Sequence, residues 1–161
     1  MAVLGIFCNW GEKRISYAIV EGTKDNCQKI EIDEYKLSED VGVTSLDHLK
    51  EIGRKIRHLC EIYTIKKACI FTPSGWEKPR RKPAWRPPDP MKVRIETAVV
   101  IPLLLSNIDV EIKETDRVLS DLGLNRGNRM RKRIRDYVEK KIPVSNNDQR
   151  DALAAALSIL D

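Results

Sequence analysis

"KKACIFTPSGW", Lys66 to Trp76, decides the fold. Ala68 to Phe71 is a short apolar run between a lysine pair and Thr-Pro-Ser-Gly, so it reads as a buried strand running into a turn. Just upstream, Leu46, Leu49, Ile52, Ile56, Leu59 and Tyr63 recur at steps of three and four, making one apolar helical stripe, with Ser45 placed as its cap. Val3 to Phe7 is apolar at both parities, as suits a central strand covered on two faces. A strand, a helix and a second strand at this spacing require a crossover and therefore parallel pairing.

Between the first strand and the helix, the Asn9-Trp10-Gly11 turn leads to Ile15 to Val20, which completes a hairpin. Gln28 to Lys36 sets Ile30 and Ile32 against Glu31 and Asp33, the period of a half-exposed third strand. Downstream, six of the eight prolines fall between Pro73 and Pro90, so residues 73–90 are expected to form a long proline-rich basic loop within one domain spanning 1–161. Met91 to Ser106 is expected to be a helix kinked at Pro102, Val110 to Lys113 a fifth strand, and Val118 to Leu122 and Arg126 to Lys141 further helices. Ser145 to Asp148 has the form of a capping box, and Asp151 to Leu160 continues as a helix rich in Ala and Leu. The expected fold class is α/β: a five-stranded mixed sheet flanked by helices. Its first three strands form an antiparallel meander, and the first, fourth and fifth strands pair in parallel.

The chain has 161 residues, 42% of them hydrophobic and 33% charged, enough for one core without disulfides. No apolar run reaches the ~20 residues of a membrane span, and the apolar start lacks a basic region and a cleavage site. A cytoplasmic protein with no membrane partner is the expectation. Cys8, Cys27, Cys60 and Cys69 show no C-x-x-C pair and read as small core residues. No Ser-His-Asp or Cys-His arrangement, phosphate loop or dinucleotide fingerprint is present. The net charge of +5 is unevenly spread, with positive residues concentrated in Lys78 to Arg86 and Arg126 to Arg135 and acidic ones in Glu31 to Asp47. A separated basic face is the footprint of a DNA or RNA partner; a solvated surface rich in Lys, Arg and Glu is the alternative.

"NNDQRDALAAAL", Asn146 to Leu157, resembles the last motif of Holliday-junction resolvases of the RuvC type and of the DUF429 predicted nucleases, in which D-x-x-D-A opens the final helix. Here that motif is Asp148, Asp151 and Ala152. "DVEIKETDRVLSDLGL" is similar to the DUF429 segment around the fifth strand, with Glu111 at the acidic position, and "RIETA" to its R-x-[DE] helix start, at Arg94 and Glu96. The element order resembles the ribonuclease H-like fold. The resemblance implies a nuclease using two divalent ions about 3.5 to 4 Å apart, held by carboxylates. It also implies an acid at the end of the first strand and another at the end of the fourth. This chain has Phe7 and Phe71 there, its only phenylalanines.

Phenylalanine offers no ligand, so the resemblance implies a nuclease scaffold with two acid positions changed and no required cofactor. The two rings are expected to pack together. In this reading Lys78, Arg80, Arg81, Lys82, Arg86, Arg126, Arg129, Lys132 and Arg133 meet phosphates, and Trp85, with Trp76, stacks on unpaired bases. An alternative keeps an active Mg²⁺- or Mn²⁺-dependent nuclease built on Asp148, Asp151, Glu111 and Glu96, with Asp148 and Asp151 as metal ligands. A further alternative is a scaffold subunit, a homodimer or a protein-bound chain, with no nucleic-acid role, touching its partner through the proline-rich loop or the Val99 to Leu105 stripe.

Overall fold

The computed structural model describes residues 1–9, 11–36, 46–73 and 90–161. Ten elements run in the order β1 (Ala2–Asn9), β2 (Arg14–Gly22), β3 (Cys27–Lys36), α1 (Leu46–Tyr63), β4 (Lys67–Phe71), α2 (Pro90–Leu105), β5 (Asp109–Lys113), α3 (Thr115–Asp121), α4 (Met130–Lys141) and α5 (Asn147–Leu157). The sheet order is β3-β2-β1-β4-β5. The β1–β2 and β2–β3 pairs are antiparallel, whereas β1–β4 and β4–β5 are parallel. The mixed sheet is thus as the sequence predicts. The expected Ser45 cap and the 73–90 loop, apart from Pro73 and Pro90, lie outside the described residues. So do Trp76, Lys78, Arg80, Arg81, Lys82, Trp85 and Arg86.

Because β1 is central, its alternate residues feed two separate cores. Leu4, Ile6 and Cys8 join Ile15, Tyr17, Ile19 and Ile70 beneath α1 and α2, which contribute Ile52, Ile56, Leu59, Val99 and Leu103. Val3 and Phe7 join Ala18, Val20, Cys69 and Phe71 on the other face, beneath the alanine-rich α5 and its neighbours α3 and α4. Gly5 also faces α5, and a Cβ added there would stand 2.0 Å from the Ala152 carbonyl oxygen and 2.3 Å from the Ala156 nitrogen. No side chain fits at this point between β1 and α5, so the helix lies directly on the strand there.

Several boundaries differ from the sequence reading. The α3 helix begins at Thr115, three residues earlier than expected, with Glu114 at its cap position. The α4 helix begins at Met130, not Arg126, because Arg129 takes a left-handed conformation (φ 56°) that cannot sit inside a helix. The α5 cap is Asn146, whose side chain accepts from the Gln149 N–H, while Ser145 Oγ donates to Gln149 Oε1 at 2.6 Å. The helix α2 runs through Pro102, whose ring packs beside Gly53 of α1. Its Val99 to Leu105 stripe is divided: Val99 and Leu103 are core, whereas Ile101, Leu104 and Leu105 are exposed. None of the described helices is long and apolar enough to cross a membrane.

Candidate functional site at the ends of the first and fourth strands

Parallel register sets Phe7 of β1 directly beside Phe71 of β4. Their ring centroids are 6.3 Å apart with planes inclined at 49°, within the about 4.5–7 Å range of tilted aromatic pairs. Both rings are buried. The Asn146 cap and the small residues that follow bring the first turns of α5 down over this end of β1, so Asp148 and Asp151 arrive beside the hairpin and α4.

Each acid is met by guanidinium groups. Asp148 Oδ2 accepts from Asn9 Nδ2 at 2.9 Å and from Arg14 Nε and Nη2 at 3.0 and 2.7 Å. Arg14 also meets Glu12 at 2.6 Å, and the Asp148 hydrogen bond pushes its guanidinium further toward the charged form. Asp151 is wholly inaccessible to solvent, and both of its oxygens are engaged. Oδ2 accepts from Arg131 Nη2 and Arg135 Nη2, both at 2.6 Å, and from Arg131 Nε at 3.1 Å; Oδ1 accepts from Arg135 Nε at 2.9 Å. The Arg131 guanidinium carbon also sits 5.2 Å from the centre of the Phe7 ring, within cation–π range.

A cleft of about 320 Å³ opens beside the phenylalanine pair, with Phe7, Phe71, Asn9, Thr72, Glu96 and Arg131 among its walls. Glu96 of α2 thus reaches the same end of the sheet as the two phenylalanines. Glu111 stands beside Cys69 in the β5 register but pairs with the Lys113 ammonium at 3.2 Å. Lys113 is buried, and it also meets Asp121 at 2.9 Å and the Ser158 carbonyl at the C-terminal end of α5 at 3.0 Å. Burial pushes the Cys69 thiol up to about 11, so it stays protonated at neutral pH.

Of the basic residues singled out on and before α4, Lys132 pairs with Asp136 at 2.6 Å and Arg133 donates to the Asn125 carbonyl at 2.7 Å. Arg126 and Arg129 precede the helix. Sequence reasoning missed Asn9 and Arg14 as partners of Asp148, and Arg131 and Arg135 as partners of Asp151. For the latter pair a signal existed: spaced four apart, they share one helix face and must address one neighbour.

Divalent ions of the kind the resemblance implies need several convergent oxygen ligands. Here Phe7 and Phe71 supply none, Asp151 gives both oxygens to arginines, Asp148 Oδ2 is held by Asn9 and Arg14, and Glu111 faces Lys113. Among the described residues no group of three or more His, Cys, Asp or Glu side chains converges to hold a metal. As arranged, the donor set of the described residues does not fit a two-metal centre.

No protein-family model matches this chain, and neither does any curated protein. Solved structures do match. Thermus thermophilus RuvC, in complex with a Holliday junction substrate, is 13% identical over 98% of this chain and 92% of its own, with a TM-score of 0.74. Fowlpox virus resolvase, in complex with its substrate Holliday junction DNA, is 14% identical over 98% and 97%, with a TM-score of 0.56. The yeast mitochondrial Holliday junction resolvase is 16% identical over 97% and 76%, with a TM-score of 0.58. The likeness is one of architecture: a five-stranded mixed sheet flanked by helices, the ribonuclease H-like fold in its RuvC form.

Proposed function

We propose that this chain binds nucleic acid through the cleft end of a ribonuclease H-like scaffold and does not hydrolyse it by two-metal chemistry. The observation that carries the reading is the engagement of Asp151 by Arg131 and Arg135 beside the Phe7–Phe71 pair. Bringing a metal to Asp151 would require breaking charge-assisted hydrogen bonds to a fully buried carboxylate, and neither β1 nor β4 offers a carboxylate beside it. The aromatic pair and fixed guanidiniums occupy the ends of the two strands where the resemblance implies acids.

The nucleic-acid part draws on the solved neighbours, two of which are complexes with Holliday junctions. A four-way junction is therefore the first ligand to test. Arg126, Arg129, Lys132 and Arg133, and Lys78, Arg80, Arg81, Lys82 and Arg86 with Trp85, are the proposed contacts outside the cleft. One observation favours the second reading, an active nuclease with a rearranged site: Glu96 reaches the cleft wall.

The test is to incubate the protein with junction, duplex and single-stranded substrates in Mg²⁺ or Mn²⁺, and separately to titrate the same substrates at several salt concentrations. The expected result is no cleavage, with affinity falling steeply as salt rises. Metal-dependent cleavage abolished by Asp151→Ala overturns the non-catalytic reading. Absence of salt-sensitive binding to every substrate removes the nucleic-acid role and favours a scaffold subunit.

A further inference from the structure

We infer that the cleft beside Phe7 and Phe71 receives a single unpaired nucleobase, stacked on Arg131. This rests on the proposed nucleic-acid role and adds what the cleft itself takes. Its volume of about 320 Å³ lies at the small end of the about 300–1,000 Å³ of ligand pockets, and its walls combine aromatic rings with a few polar groups. That composition suits a flat heteroaromatic better than a hydrated phosphate.

Arg131 is the platform. Its Nε and Nη2 are both bonded to Asp151, which fixes the guanidinium plane, while about a third of the side chain (34%) is exposed. One neighbour is already the Phe7 ring. Unpaired bases stack on guanidinium planes as they do on aromatic rings, so the exposed part of Arg131 offers a base such a platform.

The experiment compares a short single strand with a wholly abasic strand of equal length and phosphate count, each titrated at several salt concentrations. A 2-aminopurine strand reports stacking by its fluorescence. The expected result is about tenfold weaker binding of the abasic strand at an unchanged salt slope, a loss consistent with one stacked base. The 2-aminopurine fluorescence should be quenched on binding. Arg131→Lys, which keeps the charge but removes the plane, should shrink the base-dependent part and leave the salt slope.

Equal, salt-sensitive binding of base-bearing and abasic strands overturns the inference while leaving the proposed function intact. An unchanged base-to-abasic ratio in Arg131→Lys also overturns it, because a purely structural arginine would behave that way. Failure of every strand to bind overturns both.

Discussion

The two faces of the sheet are built by opposite means. Beneath α1 and α2 the core is made of branched aliphatics, and its main polar feature is a clasp in which the Tyr17 and Tyr63 hydroxyls both donate to Glu31. Beneath α5 the core also holds Val3, Phe7, Val20 and Phe71, but at Gly5 a run of alanines brings helix backbone close to strand backbone. Large side chains hold a helix off a sheet and tolerate adjustment; missing ones admit it closely and fix its position. The closely docked face is the one that brings Asp148 and Asp151 to the strand ends. The difference separates a face built for cohesion from a face built for placement.

The strongest way to break that comparison is to restore the acids implied by the resemblance. Phe7→Asp combined with Phe71→Asp places two carboxylates in an apolar site and should destabilise the protein by about 5 kcal/mol or more, enough to unfold it. Denaturant unfolding measures this, and a double variant as stable as the parent would mean that the α5 face does not bury these positions. Next comes Gly5→Ala set against Ile6→Val, neighbours on β1 that face opposite ways. The added methyl on the α5 side meets backbone and should cost about 3 kcal/mol, whereas the methyl removed from the α1 side should cost about 1 kcal/mol. Equal losses would erase the distinction between the faces.

Ser16 sharpens it with the opposite sign. It pairs with Phe7 across the hairpin and is fully buried, and its hydroxyl has no hydrogen-bond partner among the described residues. Ser16→Ala should therefore raise stability by about 1 kcal/mol, read as a higher unfolding midpoint. The smallest effect belongs to the α1 face. The hydrogen bonds from Tyr17 and then Tyr63, with Lys55 nearby, hold the Glu31 carboxyl below its ordinary value of 4.5. The unfolded chain therefore binds the proton more readily. The stabilisation is complete above that ordinary value and is lost as pH falls through the lower folded one. Glu31→Gln should flatten the decline in stability as pH falls below that ordinary value; an unchanged slope would show that the clasp is not formed in solution.

Much of the fold could be read from the chain because it is written in local periods. Leu46 to Tyr63 carries the helical period, Gln28 to Lys36 the strand period, and the buried run at Ala68 to Phe71 implies the parallel crossover. The Phe7–Phe71 contact followed from that crossover and from the place of each phenylalanine at the end of its apolar run. The start of α4 was not legible, because Arg126 to Arg129 carries no apolar period and its boundary is set by one left-handed residue. Nor were the partners of the acids. Arg14 lies 134 positions from Asp148, and nothing near either residue announces the other. A basic helix reads as a surface for polyanions, yet part of its charge turns inward to a single carboxylate.

That inward turn also limits which sequences lie within reach of this one. Removing Asp151 leaves Arg131 and Arg135 facing each other without a counter-charge, and removing either arginine leaves a sealed carboxylate with half its bonds. Breaking a buried pair from one side costs about 3–5 kcal/mol, a large share of the about 5–15 kcal/mol that holds a domain together. Effects within such a trio do not add, so the second loss should cost far less than the first. The three positions must therefore change together or hardly at all. A change to open carboxylates at this end of the sheet would have to cross variants less stable than either end point.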